Sequence, residues 1–557
     1  MFTKILIANR AEIAVRISRT CTERGVAAAG VFSDADRDAL HVEALAEAVH
    51  LPGVSPKDTY LNIPALVAAA KNSGGEAVHP GYGFLAESAE FAEAVTAAGL
   101  VWIGPPANAI RALGDKISAR RIAERAGVPV VPGITDPIDD PERITAFGDE
   151  YGYPVAIKAA GGGGGRGLKV AHNPSEVEHA FEAARREARA YFGSEQVFVE
   201  KYLEASKHLE VQLLAPSSSD ALWLGVRDCS LQRRHQKLIE EAPPPLWSER
   251  APGMGAAAVA LSVAAGYVNA GTVELLVDRD GEFYFLEVNS RLQVEHTVTE
   301  EVFGVDLVGC QLEIAAGDGL SFTQADLLPG GHAIECRINA EDPANGFMPT
   351  PGSITRYVEP TGIGIRVDSG YGRGREVPGA YDSLVAKLIT WGQNRIEARD
   401  RMARALRAFE IDGVKTTIPA HLLLLENEDF VAGTHTTRTV EAGALASLEA
   451  APDEVAADVL LVEGQPVPLW SPAMAASASA AVHGGASKGG LVAPMQGTIL
   501  KVFVEVGQEI TAGDAICVLE AMKMETTISA TASGTISAVN VVAGETTTAG
   551  TVLAVIE

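Results

Sequence analysis

Disulfide chemistry, thiolate metal binding and membrane insertion are the first things this sequence argues against. Five cysteines occur in 557 residues, Cys21, Cys229, Cys310, Cys336 and Cys517, all far apart and with no Cys-x-x-Cys pair. That excludes a disulfide framework and a zinc site of the usual spacing, and it fits a reducing, cytoplasmic setting. No run approaches the roughly 18 apolar residues a spanning helix needs. The opening MFTKILIANR lacks a charged segment followed by a long apolar core. Neither a membrane span nor a signal peptide is expected. Positive charge is scarce: 45 Lys and Arg face 72 Asp and Glu, for a formal net charge of −27. Such a surface repels nucleic acid and anionic membranes, so neither is expected as a partner. An anionic substrate must then be held by local basic islands, and DCSLQRRHQK and ECRIN are two of them. Also missing are a GxGxxG after the first strand and a Gly-Lys-Ser/Thr phosphate loop.

What is present points to several domains, because single cores stop growing near about 250 to 300 residues. KILIANR reads as a buried strand, AEIAVRISRTCTERG as a helix ending at Gly25, and VAAAGVFS as a second strand. NSGGEAVHPGYGFLAES is a strand running into a glycine-rich turn, so the first hundred or so residues form a parallel α/β domain. From about 115 to 330 the pattern turns to antiparallel hairpins with scattered helices, and 331 to 445 is mixed. Residues 446–486 are rich in Ala, Ser and Gly and read as a linker, with DVLLVEGQPVPLW as a lone hairpin inside it. The last 70 or so residues contain a repeat. GTILKVFVEVGQEITAGDAICVLE from Gly497 recurs as GTISAVNVVAGETTTAGTVLAVIE from Gly534, with eleven of 24 positions identical. Two such all-β halves predict a small sandwich or flattened barrel with a pseudo-twofold axis. The connector between them, within CVLEAMKMETTIS, sets Lys523 between two methionines on a tight turn.

Three stretches carry chemistry. VAIKAAGGGGGRGLKV places Lys158, five glycines and an arginine between two apolar strands. A hairpin of that composition can fold its backbone N–H groups over a polyphosphate, where a solvated surface loop is the plain alternative. In GTVELLVDRDGEFYFLEVNSRLQVEH, a two-residue Asp280-Gly281 turn pairs Arg279 with Glu282. Counting outward then sets Glu274 opposite Glu287, with Asn289 on the same face and Phe283 and Phe285 on Glu287's side. Opposed carboxylates destabilise a sheet unless a cation lies between them, and a hard divalent ion such as Mg²⁺ suits oxygen donors. Just beyond, Arg291, Gln293 and Glu295 alternate onto one face, where an arginine fork can hold a small oxyanion beside a carboxylate base.

HPGYGFLAES, GGGGGRG, DCSLQRRHQKLIEEAP, FLEVNSRLQVEHTVTE and ECRINAEDP together resemble the biotin carboxylase component of biotin-dependent carboxylases, an ATP-grasp family; APMQGTI followed by EAMKME resembles the biotinyl carrier domain. The resemblance covers residues 1 to about 445 and about 487 to 557. It implies an α/β and α+β multidomain chain: an N-terminal α/β domain (1–114), an ATP-grasp domain (115–330) with a glycine-rich lid at about 131–203, and a C-terminal mixed β domain (331–445). A linker (446–486) and an all-β biotinyl/lipoyl-like flattened barrel (487–557) would follow. By matching position, ATP would be bound by Lys116, Lys158, Gly161, Gly162, Gly163, Gly164, Gly165, Arg166, Gly167, Glu200, Lys201, Leu203, His208, Gln232, His235 and Leu276. Magnesium or manganese would lie on Glu274, Glu287 and Asn289. Bicarbonate would be held by Lys237, Arg291, Gln293, Val294 and Glu295, with Glu295 as base. Arg337 would stabilise the enolate form of the biotin ureido oxygen beside Tyr82, and Lys523 would carry biotin through an amide.

The gap before the carrier is too short for a carboxyltransferase barrel. The resemblance therefore implies an α subunit of an acetyl- or propionyl-CoA carboxylase, working in a hetero-oligomer with a separate β subunit and modified by a biotin protein ligase. Its linker is also shorter than the β-docking domain of propionyl-type α chains, which favours the compact type. Four positions depart from the family pattern: Ala11 for glycine, Ser290 for threonine, Thr297 for proline (expected to loosen that turn), and Gln496 for proline. Another ATP-grasp ligase joining a carboxylate to an amine is disfavoured by the lysine–methionine tip. A carrier with a dead catalytic half is disfavoured by the intact Glu274, Glu287, Arg291 and Glu295 set.

Overall fold

The computed structural model describes residues 1–134, 136–159, 168–192, 195–448, 459–462, 465–468, 490–493, 497–521, 524–547 and 550–557. Gly161 to Gly167, most of the linker, Gln496 and Lys523 lie outside the described residues.

The N-terminal domain is the parallel α/β unit expected. Strands β1 (Lys4–Ile7), β2 (Ala27–Ser33), β3 (Glu47–Leu51), β4 (Ala77–His79) and β5 (Val101–Trp102) form one parallel sheet in the order β3-β2-β1-β4-β5. Helix Ala11–Glu23 follows β1 and packs Ile13, Ile17 and Cys21 on the sheet with Ile5 and Ile7. Its first residue, Ala11, has φ +54°, the left-handed region where glycine costs nothing and alanine costs about 1 kcal/mol. The methyl group of Ala11 is buried in the apolar cluster of the 331–445 region, and a side chain at Gly370 would collide with it. Thus the departure from glycine is compensated by a contact between domains.

A smaller antiparallel sheet follows, ordered β6-β9-β7-β8 from β6 (Gly133–Ile134), β7 (Val155–Ala159), β8 (Leu168–Ala171) and β9 (Val197–Lys201). It has its own core of Ile144, Phe147, Ile157, Phe181 and Val199. Strands β7 and β8 pair from Val155 with Ala171 to Lys158 with Leu168, so the glycine-rich segment joins the two arms of a hairpin.

The main sheet is antiparallel and eight strands wide. It is built from β10 (Lys207–Ser217), β11 (Asp220–Arg233), β12 (Gln236–Ala242), β13 (Asn269–Val277), β14 (Phe283–Asn289), β15 (His332–Asn339) and the strands Leu384–Gly392 and Ile365–Ser369. The order is β14-β13-β10-β11-β12-β15, then Leu384–Gly392 and Ile365–Ser369. The division at 330 read from the sequence pattern therefore falls inside one sheet, where β12 pairs with β15.

Beyond it, Val459–Val462 and Gln465–Pro468 make an antiparallel pair, hydrogen-bonded to no other described sheet. The C-terminal repeat folds as two four-stranded sheets, so of the two forms expected it is the sandwich, with no closed barrel among the described residues. The short second strand of each half, Glu509–Ile510 and Thr546–Thr547, pairs with the sheet of the other half. That exchange is the pseudo-twofold relation the repeat implied. Hairpin Ala515–Ala521 and Met524–Ser529 closes at the pair Ala521 with Met524, leaving two positions between the arms. Among the described residues, no helix is long and apolar enough to cross a membrane.

Candidate active site

The hairpin of β13 and β14 sets Glu274 opposite Glu287 as counted from the sequence, but by a different route. Its turn is one residue longer than expected: Asp278 N–H donates to Glu282 O, leaving Arg279, Asp280 and Gly281 as the loop, with Gly281 at φ +79°. A bulge at Leu286 then takes up the extra residue, because Leu275 faces Phe285 while Glu274 faces Glu287. The bulge also overturns one expectation. Phe283 and Phe285 lie not on the face of Glu287 but in the core below, with Val273, Leu275 and Val277. Glu274, Glu287 and Asn289 hold the opposite face.

On that face the sheet carries a row of charges on adjacent strands: Arg227 on β11 opposes Glu210 on β10, Glu210 opposes Glu274 on β13, and Glu274 opposes Glu287. Lys237 on β12 reaches over the row. Its Nζ lies 2.7 Å from Glu210 Oε2, 3.0 Å from Glu274 Oε1 and 2.6 Å from Glu295 Oε1. Glu274 is also paired with His208 (2.9 Å) and accepts hydrogen bonds from Asn289 Nδ2 (2.7 Å) and Gln293 Nε2 (3.1 Å). Glu287 has no hydrogen bond or ion pair among the described residues. Burial and the neighbouring Glu274 charge push its carboxyl up.

Arg291 donates to Asn289 Oδ1 and Gln293 Oε1, each at 2.9 Å, and lies 3.1 Å from Glu87. Arg337 on β15 donates to Glu240 Oε1 at 2.6 Å and to Glu295 Oε2 at 2.8 Å. Glu295 is fully buried. Burial opposes its ionisation, but Lys237, Arg337 and Arg227 outweigh that and hold its carboxyl well below the usual range. Val294 offers its carbonyl to Lys387 Nζ at 2.9 Å. The Tyr82 ring is 5.9 Å from the same ammonium, and its buried hydroxyl has no hydrogen-bond partner.

The residues matched to nucleotide binding converge on the adjoining edge. Lys116 opens the helix Lys116–Arg125, capped by the Asp115 carboxylate on Ser118 N. Lys158 is ion-paired with Glu200, which also takes Arg120 at 3.0 Å. Lys201 follows on β9, with Leu203 just beyond it, and Leu276 faces His208 across β13 and β10. Gln232 pairs with Lys237 beside a two-residue turn of Arg234 and His235, both at positive φ. Burial lowers the pKa of His235, and the charges of His208, Lys116 and Lys158 lower it further, so these side chains share one space.

Sequence reasoning missed Glu210, Arg227, Glu240, Glu335, His296 and Lys387. Glu210 and Gln212 alternate on one face of β10, but only the register of that strand brings them to the site. Glu240 and Glu335 are direct partners across β12 and β15, both fully buried. Burial pushes Glu240 up to about 8 and Glu335 up to about 7. Thr297 does not loosen its turn: it lies in the first turn of helix His296–Phe303, and its hydroxyl donates to Glu335 Oε2.

Between the ordinary carboxyl range and about 7, the folded chain keeps a proton on Glu335 that the unfolded chain releases. Stability therefore falls as pH rises across that window. In Glu335→Gln that slope is removed, so thermal melts from about pH 5 to about pH 7.5 should show a smaller drop in Tm than the parent's. Parallel curves would mean that Glu335 is ionised throughout.

Residues 1–110 match the family described as biotin carboxylase, N-terminal domain, and 335–442 the biotin carboxylase C-terminal domain. Residues 115–323 match the carbamoyl-phosphate synthase L chain, ATP binding domain, and 490–556 match the family described as biotin-requiring enzyme. The biotin-dependent acyl-coenzyme A carboxylase alpha3 subunit of Mycobacterium leprae is 43% identical over 562 positions, covering 95% of this chain and 94% of that protein. The propionyl-CoA carboxylase alpha chain of Ruegeria pomeroyi is 37% identical over 654 positions, covering 95% and 96%. Among solved structures, the biotin carboxylase domain of the Hydrogenobacter thermophilus 2-oxoglutarate carboxylase, a dimer holding MgADP, ADP and bicarbonate, superposes with a TM-score of 0.76. The two are 44% identical, and the match covers 81% of this chain and all of that one. The chain belongs to the acyl-CoA carboxylase alpha-subunit family of biotin-dependent enzymes, as an ATP-dependent biotin carboxylase with a biotin carrier domain on the same polypeptide.

Proposed function

We propose that the chain activates bicarbonate with ATP as carboxyphosphate and carboxylates biotin on its own Lys523, serving a separate carboxyltransferase β subunit that acts on acetyl-CoA or propionyl-CoA. The observation that carries this reading is the Lys237 ammonium, which touches Glu274 on the metal side and Glu295 on the bicarbonate side. One cation thus ties the phosphate end of the nucleotide to the oxyanion it must meet.

The donor set fits a hard divalent ion. Glu287 is a half-buried carboxylate with no hydrogen bond or ion pair among the described residues, it faces Glu274, and Asn289 adds a carbonyl oxygen. Magnesium or manganese held there would neutralise charge on the β- and γ-phosphates. Lys116, Lys158, Glu200, Lys201, Leu203, His208, Gln232, His235, Leu276 and the 161–167 loop are assigned to ATP, and Lys237, Arg291, Gln293, Val294 and Glu295 to bicarbonate. Glu295 takes the bicarbonate proton, and a bicarbonate oxygen then bonds to the γ-phosphorus as the β–γ bridge breaks and ADP departs. A base with so low a pKa is weak at rest. Bicarbonate competes for Lys237, and the ion pair it takes over raises the basicity of Glu295. The unpartnered Tyr82 hydroxyl and the Arg337 guanidinium supply a polar lining suited to the ureido ring of biotin. The names of the Mycobacterium and Ruegeria relatives support the subunit role, and the longer Ruegeria alignment supports the compact α type.

With free biotin, ATP cleavage by the purified chain is expected to depend strictly on bicarbonate. Cleavage without bicarbonate, or driven by an amine acceptor, would overturn the reading. Co-purification with the β chain followed by an acyl-CoA length series then identifies the acceptor.

A further inference from the structure

Two buried side chains outside the matched set act on the backbone of the bicarbonate segment. We propose that His296 and Lys387 are positioning residues that clamp the consecutive carbonyls of Gln293 and Val294, so that the Gln293 amide, the Val294 N–H and the Glu295 carboxylate converge on bicarbonate. This rests on the assignment of those three residues to bicarbonate made above.

His296 is fully buried, and its Nδ1 lies 2.8 Å from Gln293 O. A carbonyl only accepts, so Nδ1 carries the proton. Burial, with the charges of Lys387, Arg16 and Arg366, keeps the ring neutral, so Nε2 bears a lone pair; it has no hydrogen-bond partner. The tautomer is fixed by the bond it makes. That bond polarises the peptide whose N–H belongs to Val294, strengthening it as a donor to an anion. One residue on, Lys387 donates to Val294 O at 2.9 Å.

The placement of Lys387 is costly for stability alone. It is fully buried on Leu384–Gly392, and its direct neighbours across the sheet are Arg337 on one side and Asp368 on the other. Like charges directly opposed destabilise a sheet. A second carboxylate, Glu12, is 3.5 Å away with both oxygens buried and without a hydrogen bond, and the buried Glu335 carboxyl, itself raised to about 7, also feels the Lys387 charge. A buried ammonium so placed gives little net stabilisation. What it does achieve is a fixed tie from the C-terminal region, through Val294, to the base, with the N-terminal domain supplying Glu12 and Tyr82 around it. Together the two donors remove the freedom of the 293–295 turn before substrate arrives.

The test varies bicarbonate and ATP separately in free-biotin carboxylation by the full chain. His296→Leu removes one donor. Lys387→Met combined with Glu12→Gln removes the other without leaving an unpaired carboxylate. His296→Asn restores an N–H near the Nδ1 position. Each removal should raise KM for bicarbonate by about tenfold or more, with KM for ATP within about twofold, and His296→Asn should recover most of the loss. A purely structural role would lower the active fraction and leave both KM values unchanged. Unchanged bicarbonate KM in both removal variants, or His296→Asn as impaired as His296→Leu, would overturn the clamp. Glu295→Ala run alongside separates the two levels. If it keeps bicarbonate-dependent turnover, the site assignment fails. If it is inactive while His296→Leu is normal, only the clamp fails.

Discussion

Lys523→Ala is expected to carry no biotin on a streptavidin blot and to support no acyl-CoA carboxylation with the β subunit, while carboxylating free biotin at the parental rate. The effect is all-or-none because the change removes the attachment atom and nothing else. Lys523 lies outside the described residues, but its frame does not: the strands Ala515–Ala521 and Met524–Ser529 pair up to Ala521 and Met524. Their cores, Ile516, Leu519 and Ile528, are buried without help from the tip. A hairpin end is reachable by the ligase that modifies it, and flanking methionines offer adaptable apolar contact. Once acylated, the lysine loses its charge, and carriage on the same polypeptide as the carboxylase keeps the arm at high effective concentration. A mutant that still blots would move the attachment to another lysine. A mutant that loses free-biotin activity would mean the tip contributes to the carboxylase site itself.

Glu295→Ala should abolish bicarbonate-dependent turnover, by about two to four orders of magnitude for loss of a general base, with nucleotide affinity within a few-fold of the parent's. The charge balance around it explains why binding survives. Lys237 keeps Glu210 and Glu274, and Arg337 keeps Glu240, so neither cation is left buried alone. Stopped-turnover kinetics and ADP binding by calorimetry separate the two effects. A large loss of nucleotide affinity would place Glu295 in the ATP site instead.

The identity of the chain was legible in long motifs, and the reason lies in where the charged residues fall. Glu274, Glu287, Arg291 and Glu295 lie within 22 consecutive positions, so one hairpin and the turn after it assemble them and local counting suffices. Even there the count reached the right pairing through two compensating errors, because neither a three-residue turn nor a bulge at Leu286 leaves a clear mark in the sequence. The phenylalanines went to the wrong face for the same reason. Glu210, Glu240, Glu335 and Lys387 were invisible because their place depends on the register of strands far apart in the chain. The Thr297 hydroxyl found a carboxylate 38 residues away, a partner no pattern announces. In the carrier, by contrast, the repeat itself announced two matching all-β halves, and the exchange of their short strands is what the structure adds.

The seam between β12 and β15 has a mechanical consequence. Lys237, Glu274 and Arg337 ride on strands of one uninterrupted hydrogen-bonded surface, so their mutual spacing is set by the roughly 4.8 Å lattice of a sheet rather than by a hinge. The smaller four-stranded unit, by contrast, is packed around a hydrophobic core of its own, separate from the core under the charged row. The charged row is thereby a gauge of fixed spacing, built into the sheet itself.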